Sequence, residues 1–97
     1  MNRRILPDRR FQDVVDLEHG GSLFRVAISR FEDGSPGEVH IDTAKPGSTL
    51  GIHAHDVAAL VTLLLQNGAG ISQIEKSLAR NPAGLAARIA RLIRGAA

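Results

Sequence analysis

Halfway along this chain the apolar residues change their period, and that change decides which folds are open to it. Between Leu23 and Phe31 they alternate, with Phe24, Val26 and Ile28 on one side and Arg25, Ala27 and Ser29 on the other. Val39 and Ile41 alternate in the same way with Glu38, His40 and Asp42. A repeat of two suits a strand with one buried face. After Thr49 the repeat lengthens. Leu50, Val57, Leu60, Val61 and Leu64 follow the three-and-four spacing of a helix, which predicts these five as the inner face of a long one.

The residues between these runs say where each element stops. Val14, Val15 and Leu17 precede His19-Gly20-Gly21-Ser22, and paired glycines between apolar runs predict a tight hairpin. The stretch from Glu32 to Gly37 contains Asp33-Gly34 and Pro36, a second turn. Ser48 or Thr49 is a fitting N-cap for the long helix, and Asn67-Gly68 a fitting end. Ser72 is expected to cap a second helix that turns Ile74 and Leu78 inward. Asn81 as cap, with Pro82 in first position, is expected to open a third, lined by Leu85, Ile89, Leu92 and Ile93. Strands first and helices after predict an α+β fold: a three-stranded antiparallel meander followed by two to three helices packed on one face. With 97 residues there is room for one core. Residues 1–10 are expected to form a flexible basic arm, and residues 11–97 the domain.

Composition excludes several kinds of chemistry. The chain has no cysteine, so disulfides, thiolate metal sites and cysteine nucleophiles are ruled out. Only Phe11, Phe24 and Phe31 carry rings, so the core must be aliphatic. The run from Val57 to Leu65 falls short of the roughly 18 apolar residues of a membrane helix. The first ten residues hold arginines but no apolar block, unlike a secretory signal. A cytoplasmic protein with no membrane contact is expected. Net charge is +2, but the arginines gather at the two ends while acidic residues fill the middle.

Four groups of polar residues are candidates for function. Glu32, Asp33 and Glu38 lie in and beside a turn, where carboxylates are ordinarily solvated, and no nucleophile accompanies them. Gly47-Ser48, with Lys45 nearby, opens a helix, where free N–H groups favour anions. The stretch lacks the glycine spacing of a phosphate loop, and a plain N-cap is the simpler reading. With His19 and His40 on strands, His53 and His55 are the leading metal candidates. Two apart on a helix, they point about 200° away from one another and cannot share an ion, so neither a metal nor a cofactor is expected. Arg80, Arg88, Arg91 and Arg94 could meet a polyanion, although no aromatic residues are interleaved with them. The apolar stripe of the third helix either closes the core or pairs with a second copy.

From Gly20 to Leu78 the order of elements resembles the TSCPD domain, found near the C-terminus of adenosylcobalamin-dependent ribonucleotide reductases and also in small free-standing proteins. The residues that carry the resemblance are Gly20-Gly21, Phe24-x-Val26, Phe31-Glu32-Asp33-Gly34-x-Pro36-x-Glu38-Val39-x-Ile41, Gly47-Ser48-x-Leu50-Gly51, and Gln66-x-Gly68 ahead of Ile74 and Leu78. Residues past Arg80 fall outside it. The resemblance implies a setting in deoxyribonucleotide synthesis but carries no catalysis across. The parent enzymes work through a thiyl radical and a cysteine pair, and the cysteine of the family's name motif is missing here. Whether the chain is an enzyme is left open; on its own it is expected to be non-catalytic. The leading expectation is an accessory or regulatory binding domain with a protein partner, a reductase chain among them, or a nucleotide. The alternatives are a split component of a ribonucleoside-diphosphate reductase and an arginine-rich module for nucleic acid or another polyanion.

Overall fold

The computed structural model describes Arg4, Leu6 and residues 12–96. Apart from Arg4 and Leu6, the expected basic arm lies outside the described residues, as does Phe11. Three strands, β1 (Gln12–His19), β2 (Ser22–Arg30) and β3 (Pro36–Thr43), precede three helices, α1 (Thr49–Gln66), α2 (Ile71–Ser77) and α3 (Leu85–Ala96). The strands form an antiparallel sheet in the order β1-β2-β3. The α+β meander expected from the alternating pattern is present.

The first hairpin closes where His19 pairs with Ser22. Gly20 and Gly21 take φ of 58° and 77°, and a two-residue turn with both central φ positive matches the right-handed twist of the strands it joins. Pairing then sets Val26 between Val15 and Ile41, and Ile28 beside Val39. Phe24, Val26 and Ile28 lose nearly all contact with water on the inner face. The outer face carries Arg25, Glu38, His40 and Asp42 together with the exposed apolar side chains of Val14 and Leu23, and within it Ser29 is buried, 2% exposed, and accepts a hydrogen bond from the Gln12 amide at 3.4 Å. The β2–β3 ladder shifts register between Ser29 and Arg30. There the Arg30 side chain, only 10% exposed, holds Asp13 at 2.7 Å and the Gly34 carbonyl at 3.1 Å.

α1 begins at Ser48, whose hydroxyl accepts from the Gly51 N–H at 3.0 Å and donates to the Lys45 carbonyl at 2.7 Å. Gly51 is required here, because a Cβ at that position would lie 2.5 Å from the Lys45 carbonyl oxygen. The helix ends at Asn67. The N–H of Gly68 reaches the Leu65 carbonyl and that of Ala69 the Leu64 carbonyl, the paired bonds of a Schellman ending.

The inner face of α1 differs from the expected one. Gly51, Ala54, Ala58, Val61 and Leu65 face the sheet, while Leu60 and Leu64 turn to solvent and Leu50 and Val57 are only partly buried. Small side chains let the helix approach β3 closely, and bulky leucines on that side would hold it away. Thr62 sits at the seam. Its hydroxyl accepts from the Val39 N–H at 2.9 Å and donates to the Val39 carbonyl at 3.2 Å. Both groups belong to the outer edge of β3, so α1 satisfies the strand's edge as well as covering it. By length and composition this 18-residue helix, with mean hydropathy 1.2, is long and apolar enough to cross a membrane, which the shorter run Val57–Leu65 did not suggest. Its tie to β3 is that of a core helix.

Two helix starts also differ from expectation. α2 opens after Gly70, with no side-chain cap, so Ser72 is not its cap. Residues Asn81 to Gly84 form a turn, with Gly84 N–H bonded to the Asn81 carbonyl, and α3 begins three residues later than the Asn81-Pro82 pair suggested. Ile89, Ala90 and Ile93 of α3 are fully buried in the core with Ile74 of α2.

Replacing Ala58 by Leu should force α1 off the sheet and cost about 1–3 kcal/mol. Thr62→Val leaves the Val39 N–H and carbonyl without their partner and should cost a similar ~1–3 kcal/mol. Chemical denaturation of both variants measures this, and a Thr62→Val protein as stable as wild type would show that water replaces the hydroxyl.

Candidate functional site

The residues singled out from the sequence do not converge on one place. Glu32 and Asp33 lie in the β2–β3 turn, while Lys45, Gly47 and Ser48 follow the far end of β3. Eight residues of strand separate them, about 26 Å at the usual rise. Glu38 lies on the outer face of β3, paired in register with Ser29. At the helix start the Ser48 hydroxyl is already engaged by Gly51 and Lys45, as in an ordinary N-cap.

Asp33 is the strongest local organiser of the turn. Its carboxylate accepts from the Ser35 hydroxyl at 2.5 Å and the Ser35 N–H at 3.0 Å, and it faces the Arg4 guanidinium at 3.2 Å. The Ser35 hydroxyl, then the Ser35 N–H, and after them Arg4, hold its pKa down at about 2. Arg4 also lies 3.7 Å over the Phe31 ring, and its N–H donates to the Gln66 carbonyl at 2.6 Å. The segment before β1 is thereby pinned at Arg4 to both the turn and the end of α1.

The four C-terminal arginines divide into two pairs. Arg88 donates to the Glu18 carbonyl at 2.8 Å and to His19 Nδ1 at 2.9 Å, which ties α3 to the first hairpin. A guanidinium only donates, so His19 Nδ1 is the acceptor. Arg94 is ion-paired with Glu75 of α2. Arg91 is exposed, and Arg80 lines a cleft of about 580 Å³ with Lys76 beside the start of α3. The arginines therefore do not present one continuous basic face.

His53 and His55 are both exposed on α1. His55, with Asp56, borders a cleft of about 400 Å³ across from His40 and Asp42, which lie 3.1 Å apart. Among the described residues no three histidines or carboxylates converge as a metal would require.

What the sequence reading missed is an apolar surface. Leu60, Leu63 and Leu64 are 62%, 46% and 48% exposed, and Ile52, earlier on the same helix, is exposed as well. Beside them, between α1 and α2, runs a groove of about 300 Å³ walled by Val57, Leu60, Leu64, Ile74, Leu78 and Ala86. Apolar residues gathered this way mark contact surfaces more often than singly exposed ones do. A signal was present in the sequence. Gly51, Ala54 and Ala58 are spaced three and four apart, and such a stripe marks the side of a helix that approaches closely, which leaves the leucines for the other side.

Two outcomes test these assignments. In a side-chain carboxyl titration followed by NMR, Asp33 should have its midpoint near 2. Ser35→Ala should raise that midpoint more than Arg4→Ala does, and the reverse order would overturn the assignment of cause. Because the folded value lies below the unfolded one, the stabilisation is complete above the ordinary carboxylate pKa near 4 and fades as pH falls toward 2. Asp33→Asn should accordingly flatten the loss of stability over that window. Arg88→Ala should cost about 1–2 kcal/mol through its lost bonds to the hairpin. Arg91→Ala should stay within about 0.5 kcal/mol, and equal effects in thermal denaturation would contradict the division.

No curated protein and no solved structure matched the chain. The family model of the TSCPD domain matches residues 3–96. That range extends the resemblance past Arg80 to include α3, which the sequence motifs had left outside. All three strands and all three helices lie within it, and the chain belongs to the TSCPD domain family.

Proposed function

We propose that this chain is an accessory domain of ribonucleotide reduction, one that binds a protein partner and carries out no reaction alone. The observation that carries this reading is the orientation of α1, with Ala54 and Ala58 in the core and Leu60, Leu63 and Leu64 toward solvent. Burying three half-exposed leucines and the adjoining groove would contribute several kcal/mol at about 25 cal/mol per Å² of apolar surface. The chain holds no thiol to transfer electrons, and among its described residues no three histidines or carboxylates gather as they would around a metal. The setting in deoxyribonucleotide synthesis, and a reductase chain as partner, come from family membership.

The arginine-rich ends favour a polyanion less, since Arg88 and Arg94 have partners inside the fold.

The test is a calorimetric titration of the purified chain into an adenosylcobalamin-dependent reductase chain from the same cell. Binding is expected, and Leu60→Asp together with Leu64→Asp should weaken it at least ~10-fold, since hot-spot truncations commonly exceed about 1.4 kcal/mol. Arg91→Ala should leave it unchanged. Undiminished binding by the double variant would remove α1 as the docking surface. No binding by the wild type would remove the reductase as partner.

A further inference from the structure

We infer that the free edge of β1 pairs antiparallel with β1 of a second copy of this chain, about a two-fold axis at Val14, joining the two sheets edge to edge. The inference is independent of the α1 surface, which belongs to the opposite edge of the sheet, where Thr62 meets β3.

Which backbone groups of β1 face outward follows from the hairpin. His19 and Ser22 close its two-residue turn as a hydrogen-bonded pair, and bonded and non-bonded pairs alternate from there. Leu17, Val15 and Asp13 therefore turn their N–H and C=O groups toward β2. Glu18, Asp16, Val14 and Gln12 turn theirs away. Two contacts agree with this alternation. Arg88 reaches the Glu18 carbonyl from α3. On the other side of β2, Ile28 is bonded across to Asp13, so its β3 neighbour Val39 must face outward, and it is Val39 that Thr62 engages. Among the described residues, no hydrogen bond is made to the outward backbone groups of Gln12, Val14 and Asp16. That open stretch is bounded by the start of β1 and by Arg88, and Val14 at its middle is 55% exposed. An edge left open in this way is a template for a further strand.

A second copy fits the stretch position by position. With the axis at Val14, Val14 faces its own copy, while Gln12 and Asp16 face the partner's Asp16 and the partner's Gln12. Each pair exchanges two backbone hydrogen bonds, so every open group is satisfied. On the outer face valine packs on valine. The Gln12 amide spends one N–H on Ser29 and has a second for the carboxylate opposite. The carboxylates of β1 bring their own counter-ions, Arg30 for Asp13 and Arg25 for Asp16. Other registers fit worse. A slip toward Glu18 needs the carbonyl that Arg88 holds and sets Val14 against a carboxylate. A longer slip that way opposes Asp16 to its own copy, like charge on like charge. A slip the other way leaves Asp16 beyond the start of the partner's β1. A foreign strand would find the same backbone, but these side chains are answered by a small apolar residue flanked by an amide and a carboxylate in reversed order, and β1 is itself such a strand. The middle of β3 is taken by Thr62, so β1 pairs with β1 and growth stops at two.

The cysteine-free chain makes the register directly testable. Cα atoms of a hydrogen-bonded pair lie about 5.5 Å apart, within disulfide reach, so Val14→Cys should cross-link to itself under mild oxidation. Asp16→Cys, displaced about 14 Å along the strands from its own copy, should not. Short edge contacts make weak dimers, and light scattering should show the wild type dimerising on the order of 100 μM. Val14→Pro removes the outward N–H and leaves the β1–β2 bonds in place, and should raise the midpoint at least ~10-fold. Val14→Lys, a charge on the edge, should do the same, and circular dichroism checks that both variants fold. Leu60→Asp should leave the dimer unchanged, so the outcome is separate from that of the reductase titration. A wild type monomeric at ~1 mM, a dimer indifferent to Val14→Lys or abolished by Leu60→Asp, or cross-linking of Asp16→Cys as fast as that of Val14→Cys would each overturn the pairing.

Discussion

The close approach of α1 to the edge of β3 governs the rest of this molecule. Ala54 and Ala58 bring the helix down onto the core, Gly51 lets its first turn close on the Lys45-Pro46 backbone, and Thr62 locks it there through both backbone groups of Val39. A helix has only one side to give to the core. Once Ala54, Ala58, Val61 and Leu65 take it, Leu60, Leu63 and Leu64 are left facing outward. The groove against α2 follows from the same geometry, because the Schellman ending at Gly68 turns the chain back along the helix it has just left.

This arrangement separates the parts of the protein by role. The sheet and the inner sides of the helices form a sealed aliphatic core around Phe24, Val26, Ile28, Ile89 and Ile93. Four arginines are spent on holding segments together: Arg30 on Asp13, Arg88 on the first hairpin, Arg94 on α2, and Arg4 on the β2–β3 turn. The exposed pair of Arg4 and Asp33 contributes little, but together these contacts fix where the segments lie. The large apolar side chains the fold leaves exposed gather mainly on α1, at Ile52, Leu60, Leu63 and Leu64, with Val14 and Leu23 on the sheet.

Much of the architecture was legible from the residues. Strict alternation around Phe24 and Val39 announced strands with one wet face, and Gly20-Gly21 announced the hairpin, because few other residues take two successive positive φ values. Ser48 and Asn67-Gly68 marked both ends of α1 correctly. The helix face was misjudged because α1 is apolar almost all the way round, so hydrophobic spacing alone could not choose between its sides. Leucine size suggested the inner face, and the steric demand of a close helix–strand contact selected alanine. The starts of α2 and α3 were misplaced for a related reason. Ser72 and Asn81-Pro82 are good opening residues, but the chain must first turn at Gly70 and again at Gly84 to bring Ile74 and Ile89 inward. The functional candidates were read one polar cluster at a time, and the surface that emerged has hardly any polar atoms to read.

Thr62 has a consequence that reaches beyond this single molecule. An outer strand with open amides is a template on which another extended chain can grow, and sheets that lack protection tend to polymerise through it. By occupying the Val39 amide and carbonyl together, one hydroxyl closes that route along the middle of β3. The protein can thus display bare leucines a short distance away without inviting strand-by-strand accretion there: sticky contacts at this corner are confined to helix against helix, which is reversible, and kept from backbone against backbone, which often is not.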